Sequence, residues 1–241
     1  KYDEAIVCYD KALGIDPKYV KGWNNKGYTL HDLKKYDEAI VCYDKALGID
    51  PKYVKGWNNK GYTLHDLKKY DEAIVCYDKA LGIDPKYVAA WDNKGDTLDD
   101  LKKHDEAVVC YDKALEIDQK DVYALYNKGN TLGHAEKYDE AVVCYDKALV
   151  IDPNQSSVLN NNSWALCKLE KYEKALLLSE ISFTIKSSNP STIHTKGFIL
   201  LKLKQYQDAI KWFDKALAVD PNHKDSIKDR QLAVDAAKLD K

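Results

Sequence analysis

The feature that most constrains this chain is a period. Residues 1–34 recur identically as 35–68, and the spacing of 34 continues through the rest of the 241 residues. Tyr2, Tyr36, Tyr70, Tyr138, Tyr172 and Tyr206 keep the step, with His104 filling one place, and Trp23, Trp57 and Trp91 keep it too. Such a chain folds as a stack of small units, each burying its apolar face against its neighbours. The complete unit is Val20 to Tyr53, VKGWNNKGYTLHDLKKYDEAIVCYDKALGIDPKY.

Two helices fit within that unit. On a helical wheel, Val20, Trp23 and Leu30 cluster within about 60° of Gly27, with Leu33 further round the same side. Lys21, Asn25, Tyr28 and Asp32 collect nearly opposite and are expected to face outward. In the second helix, from about Asp37 to Ile49, Ala39, Cys42, Tyr43 and Ala46 share one face. Small residues at Gly27 and Ala39 allow a close crossing, and the short turn Leu33-Lys34-Lys35-Tyr36 makes the two helices antiparallel neighbours. Gly48 and Pro51 punctuate the way to the next copy.

Composition serves mainly to exclude. A net charge of −2, from 37 Lys+Arg against 39 Asp+Glu, gives no basis for a nucleic-acid or membrane partner through bulk electrostatics. No run approaches the ~18 apolar residues of a membrane span, and no charged-then-apolar leader opens the chain. A soluble, cytoplasmic protein is expected. Cys8, Cys42, Cys76, Cys110 and Cys144 fall one per repeat. Stacked helices hold equivalent atoms roughly 8–10 Å apart, whereas a disulfide needs Cα atoms within about 7 Å. These thiols therefore read as reduced and packed. There is no CxxC, no Cys/His pair at metal-ligand spacing and no glycine-rich phosphate loop, so no metal, cofactor or catalytic set is expected. The adjacent pairs His31-Asp32 and His65-Asp66 diverge on one helix, and His134, His194 and His223 read as isolated. Methionine is absent and Lys1 falls inside a repeat, which points to a piece of a longer array.

Trp23, Gly27, Leu30, Ala39, Tyr43, Ala46 and Pro51 match, in type and spacing, the signature of the tetratricopeptide repeat, which the unit resembles. The resemblance implies an all-α fold, a right-handed superhelical α-solenoid of antiparallel helix pairs. It divides the chain into a lone second helix at 1–19 and repeats at 20–53, 54–87, 88–121, 122–155, 156–189 and 190–223, with a capping helix at 224–241. The place before the Gly, usually Leu in the family, is Lys26, Lys60, Lys94, Lys128 and Lys196. Their methylenes are expected to cover apolar surface while the ammonium reaches water. The fifth repeat is degenerate, with Ser163 for Gly, Ser179 for the aromatic, Ser182 for Ala and Ser187 for Pro, and leaves room for a bend or looser packing.

Arrays of this family resemble one another in presenting the outward face of each first helix along a concave groove. That implies a protein-protein interaction scaffold binding a peptide or partner segment. The groove ladder would be Asn25, Asn59, Asn93, Asn127 and Asn161, ending at Thr195. An Asn amide carries donors and an acceptor, and so can satisfy the backbone of an extended peptide. Similar ladders line peptide-binding arrays such as that of the O-linked N-acetylglucosamine transferase family. Flanking places are Lys21, Asn24, Tyr28 and Asp32, copied as Lys55, Asn58, Tyr62 and Asp66. The third repeat turns acidic with Asp92, Asp96, Asp99 and Asp100, suited to a Lys or Arg of a partner. Tyr123, Tyr126, Trp164, His194 and Phe198 then offer an apolar anchor point. The carboxylate clamp of chaperone-binding members is disfavoured, because Asp92 and Asp96 bring the wrong charge to its places. Two further readings are a structural spacer without a specific ligand, and end-to-end self-association through the unpaired helix at residues 3–15.

Overall fold

The structure, a computed structural model describing residues 2–239, contains fourteen α-helices and no strand among those residues. The chain divides into two compact units, Lys1–Gln119 and Lys120–Lys241. The first holds α1 (Tyr2–Ile15) and then three hairpins: α2 (Val20–Asp32) with α3 (Tyr36–Ile49), α4 (Val54–Asp66) with α5 (Tyr70–Ile83), and α6 (Val88–Asp100) with α7 (His104–Ile117). The second holds α8 (Val122–His134) with α9 (Tyr138–Ile151), α10 (Ser156–Lys168) with α11 (Tyr172–Ile185), and α12 (Pro190–Lys202) with α13 (Tyr206–Val219), closed by α14 (Lys224–Leu239).

Each hairpin turns in the same way. The Lys34 N–H donates to the His31 carbonyl at 2.7 Å and the Lys35 N–H to the Leu30 carbonyl at 2.9 Å. These two bonds satisfy the last carbonyls of α2 and require a left-handed residue between the helices. Lys34 supplies it at φ 60°, as do Lys68, Lys102, Glu136, Glu170 and Lys204 in their own hairpins. The turn between hairpins is held by side chains. Asp50 Oδ1 accepts from the Lys52 N–H at 2.9 Å, and the Trp57 indole N–H donates to the Pro51 carbonyl at 2.9 Å.

Helix crossing within a hairpin is set by a glycine against a ring. A Cβ built on Gly61 would lie 2.6 Å from Tyr77 Cε1, so the tyrosine packs flat on bare backbone and is fully buried. Leu64, Ala73, Cys76 and Tyr77 form one such core, to which Trp57 and the preceding hairpin's Ile40 add. Each core is thus shared across a seam. The fifth repeat exchanges glycine and ring together: Ser163 and Ser179 are both wholly buried, with Ser163 Oγ donating to the Ala175 carbonyl at 2.7 Å and Ser179 Oγ to the Leu176 carbonyl at 2.7 Å. α10 and α11 still form a hairpin.

The lysines before the glycine behave differently from the expectation that their ammonium groups simply reach water. Lys60 Nζ lies 2.6 Å from Asp44 on the preceding second helix, and Lys94 Nζ lies 2.6 Å from Asp78. Asn162 meets Asp146 at 2.7 Å in the same register, and Arg230 of α14 meets Asp214. The wheel could place the methylenes but not a carboxylate contributed by another helix.

Within each unit successive first helices touch, α2 with α4 and α4 with α6, then α8 with α10, α10 with α12 and α12 with α14. Second helices stand further apart and meet through long side chains, as Phe183 of α11 and Trp212 of α13 do with ring centroids 5.0 Å apart. The first helices therefore line the inner side of each unit. No described helix is long and apolar enough to cross a membrane.

Candidate binding face

In the first unit, Lys21, Asn25, Tyr28 and Asp32 are exposed on the inner side, as are Lys55, Tyr62 and Asp66, while Asn59 and Asn93 are half-buried. Their half-burial has a definite cause. Asn59 Nδ2 donates to Asn24 Oδ1 at 3.0 Å, and Asn93 Nδ2 donates to Asn58 Oδ1 at 3.0 Å. The ladder residue of one repeat is thereby bonded to the residue before the ladder position in the preceding repeat. Asn24 and Asn58, read from sequence as flanking groove positions, are buried in the seam.

The acidic third repeat presents less open charge than its sequence suggests. Asp92 is only 6% exposed, because it occupies the same seam position as Asn24 and Asn58. Asp96 is half-buried and accepts from the Tyr111 hydroxyl at 2.7 Å, and Asp99 lies 2.8 Å from His104 Nδ1. Asp100 is the exposed carboxylate of the four, 3.4 Å from His65 Nε2. The histidines passed over as catalytic candidates are built into the same face. The His31 ring fills the space between α2 and α4, with Nδ1 3.1 Å from Thr63 Oγ1 and Nε2 3.3 Å from Asp66. His65 repeats this with Thr97 at 2.9 Å. Its acidic neighbour belongs to the next repeat, not to its own helix.

In the second unit Tyr123 is exposed, and Tyr126, Asn127, Asn161 and Trp164 are half-buried. Asn161 Nδ2 donates to Tyr126 Oη at 3.2 Å and to Asn130 Oδ1 at 2.8 Å, while its own Oδ1 accepts from Asn160 at 3.3 Å. The Tyr145 hydroxyl also donates to Asn130 Oδ1, at 2.9 Å, and burial pushes its pKa well above the usual tyrosine value. This bonded network forms the base of a cavity of about 320 Å³ between α8 and α10, walled by Gly133, Tyr138, Trp164 and Ala165. A second cavity of about 180 Å³, between α10 and α12, shares Asn161 and Trp164 with the first and adds His194 and Thr195. Thr195, the last rung, is buried and donates to the Ser191 carbonyl at 2.9 Å.

His194 and His223, read as isolated, lie together with ring centroids 5.4 Å apart. His194 Nε2 is 2.9 Å from Asp229, both buried. His223 Nδ1 meets the Ser226 N–H at 3.2 Å and its hydroxyl at 2.8 Å. Ser226 is wholly buried, so this contact caps the start of α14. The His194–Asp229 bond spans 35 residues, as Asn24–Asn59 does, and is the same seam contact in another chemistry. Comparing adjacent places across copies, as pairs 35 residues apart, is the signal that would have found these seams.

A family model described as "Tetratricopeptide repeat" matches residues 20–53, 54–87, 122–155 and 194–223. A second, described as "TPR repeat", matches 1–34 and 95–133. No curated protein matches the chain in sequence. Among solved structures, the chain is similar to one from the APC/C hetero-tetramer Cut9-Hcn1, with a TM-score of 0.78 and 17% identity over 97% of this chain and 46% of that one. It is similar to pilF of Pseudomonas aeruginosa, with a TM-score of 0.74, 18% identity and coverage of 95% and 98%. It is also similar to YrrB, described as a TPR protein with an unusual peptide-binding site, with a TM-score of 0.63, 22% identity and coverage of 78% and 97%. At these identities the likeness is one of fold.

Proposed function

The chain belongs to the tetratricopeptide repeat family, whose fold is a general protein-interaction scaffold, and on that premise we propose that it holds an extended segment of a partner protein along its first helices. The observation that carries this reading is the pair of cavities on the inner side of the second unit, which meet at Asn161 and Trp164. Two adjoining recesses with aromatic walls suit successive side chains of one segment. In the first unit, Asn59 and Asn93 each commit one amide N–H to the preceding repeat. An Asn amide has a second N–H and a carbonyl oxygen, which serve a peptide backbone. At Asn161 the amide is engaged within the chain, and its part is to shape the recess. Tyr28, Tyr62 and Tyr123 supply exposed rings beside the path, with Lys21, Lys55 and Asp100 as exposed charges. We read the protein as a non-catalytic scaffold of the cytoplasm, where its six free thiols stay reduced.

The test is a pull-down with the whole chain, comparing wild type with Asn59→Ala/Asn93→Ala/Asn127→Ala and with Trp164→Ala. Loss of partners in both variants, with melting temperatures measured alongside, supports the groove. A partner set and affinities unmoved by either variant would remove it and favour a spacer, a reading that the side-chain bonds across the Asn24–Asn59 and Asn58–Asn93 seams also suit.

A further inference from the structure

The cavity between α8 and α10 has a filled counterpart in the same chain. Gly133 occupies the twelfth place of its repeat, where the first two repeats carry His31 and His65. The His31 ring stands between two aromatic walls, 5.3 Å from the Tyr36 ring and 5.0 Å from the Tyr62 ring. Three repeats further on, the equivalents of those walls are Tyr138 and Trp164, and both line the cavity. A Cβ built on Gly133 would meet nothing nearer than Tyr145 Oη at 3.9 Å. The chain keeps the socket and omits the side chain that fills it.

We propose that this socket receives the ring of a phenylalanine or tyrosine side chain from a bound partner segment; the inference rests on the groove reading above and names its anchor. Size permits it, since a cavity on the order of 150 Å³ already admits a benzene ring, and this one measures about 320 Å³. The walls select for a neutral ring. The groups that hold the imidazole of His31 are the Thr63 hydroxyl at 3.1 Å and the Asp66 carboxylate at 3.3 Å. Their equivalents are Ala165 and Lys168, a methyl group and an ammonium. Lys168 Nζ lies 4.9 Å from the Trp164 ring centroid and 6.0 Å from that of Phe198 on α12, so the carboxylate that holds the imidazole of His31 has no counterpart here. Tyr145, Asn130 and Asn161 are bonded to one another at the base, and a ring can cover them without breaking those bonds.

The probe is N-acetyl-phenylalanine methylamide, with its tyrosine, leucine and histidine analogues, titrated into the whole chain while the Trp164 indole resonance is followed by NMR. The phenylalanine and tyrosine amides should shift that resonance saturably, with leucine and histidine at least fivefold weaker. Gly133→His and Gly133→Leu fill the socket from within, in open space on a helix, and should each lower the affinity at least tenfold without loss of melting temperature. Equal response to all four amides, no response of Trp164, or a response that survives both variants overturns the inference. Selection of displayed peptides against the whole chain separates the two levels. Peptides that bind without aromatic enrichment and ignore Gly133→His overturn the anchor but leave the groove, and a selection that yields no binder removes both.

Discussion

Lys60 Nζ stands 2.6 Å from Asp44 Oδ1 across the seam between two hairpins, and the Lys60 side chain is only 20% exposed while Asp44 is 52% exposed. A pair with one partner open to water contributes modestly, because solvent screens it and both side chains must be ordered. A double-mutant cycle with Lys60→Leu and Asp44→Ala should give a coupling of about 0.5 kcal/mol, falling in high salt. A coupling several times larger would mean that the pair, and not the shared core around Trp57, holds the hairpins together.

Gly61→Ala should destabilise the protein although alanine is the better helix former. The added Cβ would lie 2.6 Å from the buried Tyr77 ring. Overpacking of this kind costs about 1–3 kcal/mol, against about 1 kcal/mol gained in helix propensity. The fifth repeat shows the compensation, with serine in both places. In denaturant melts, Gly61→Ser and Tyr77→Ser together should therefore cost less than the sum of the two.

Lys68→Gly should stabilise the protein. Lys68 sits at φ 60° in its hairpin turn, a conformation that costs a side-chain-bearing residue about 1 kcal/mol and glycine nothing. A gain of up to about 0.5 kcal/mol is expected after glycine's greater unfolded-state entropy is subtracted. An unchanged or lower melting temperature would show that the Lys68 side chain makes a compensating contact.

Thiol accessibility should separate one cysteine from the rest. Cys8 is exposed, whereas Cys42, Cys76, Cys110, Cys144 and Cys167 are buried. A thiol reagent at pH 8 should label one site quickly in the native protein and all six in denaturant. Mass mapping that found Cys76 labelled as fast as Cys8 would mean that the hairpins open readily.

Stability should fall on the alkaline side. Burial pushes the Cys76, Cys110 and Cys167 thiols up to about 11, from an ordinary 9.0. Burial raises Tyr43, Tyr77 and Tyr145 as well. The folded chain keeps these protons at a pH where the unfolded chain releases them, so the thiols' contribution is complete below about pH 9 and is lost as pH rises through about 11, and the tyrosines' is lost at higher pH still. Melting temperatures should be level from pH 7.5 to 8.5 and drop beyond 9. A flat profile to pH 11 would contradict the burial.

The hairpins were legible because they depend on neighbours in sequence or on one helix face. Gly27 and Tyr43, Trp23 and Leu30 fall on predictable sides, and a period of 34 repeats them. The seams were not, because a wheel describes one helix alone. Asn24 meets a residue 35 places later, and Lys60 one 16 places earlier, so neither partner appears on the wheel that carries the residue. Asp92 was misjudged for the same reason, as its burial comes from an adjacent helix. The cavity at Gly133 was present in the sequence as a missing histidine. Reading it required knowing that His31 fills a socket, which only the packing of α2 on α4 reveals.

The seam contacts have a consequence for how such a chain grows. Trp57 to Pro51, Lys60 to Asp44 and Asn59 to Asn24 each join partners that one 34-residue block, placed after its twin, brings with it. A duplication event in the gene therefore adds a segment already equipped to lock onto its parent, with no second change needed. The identical units 20–53 and 54–87, which these three bonds join, have the form such an event would leave. Divergence can then proceed one joint at a time, as the replacement of an amide pair by His194 and Asp229 illustrates, while the rest of the array keeps its footing.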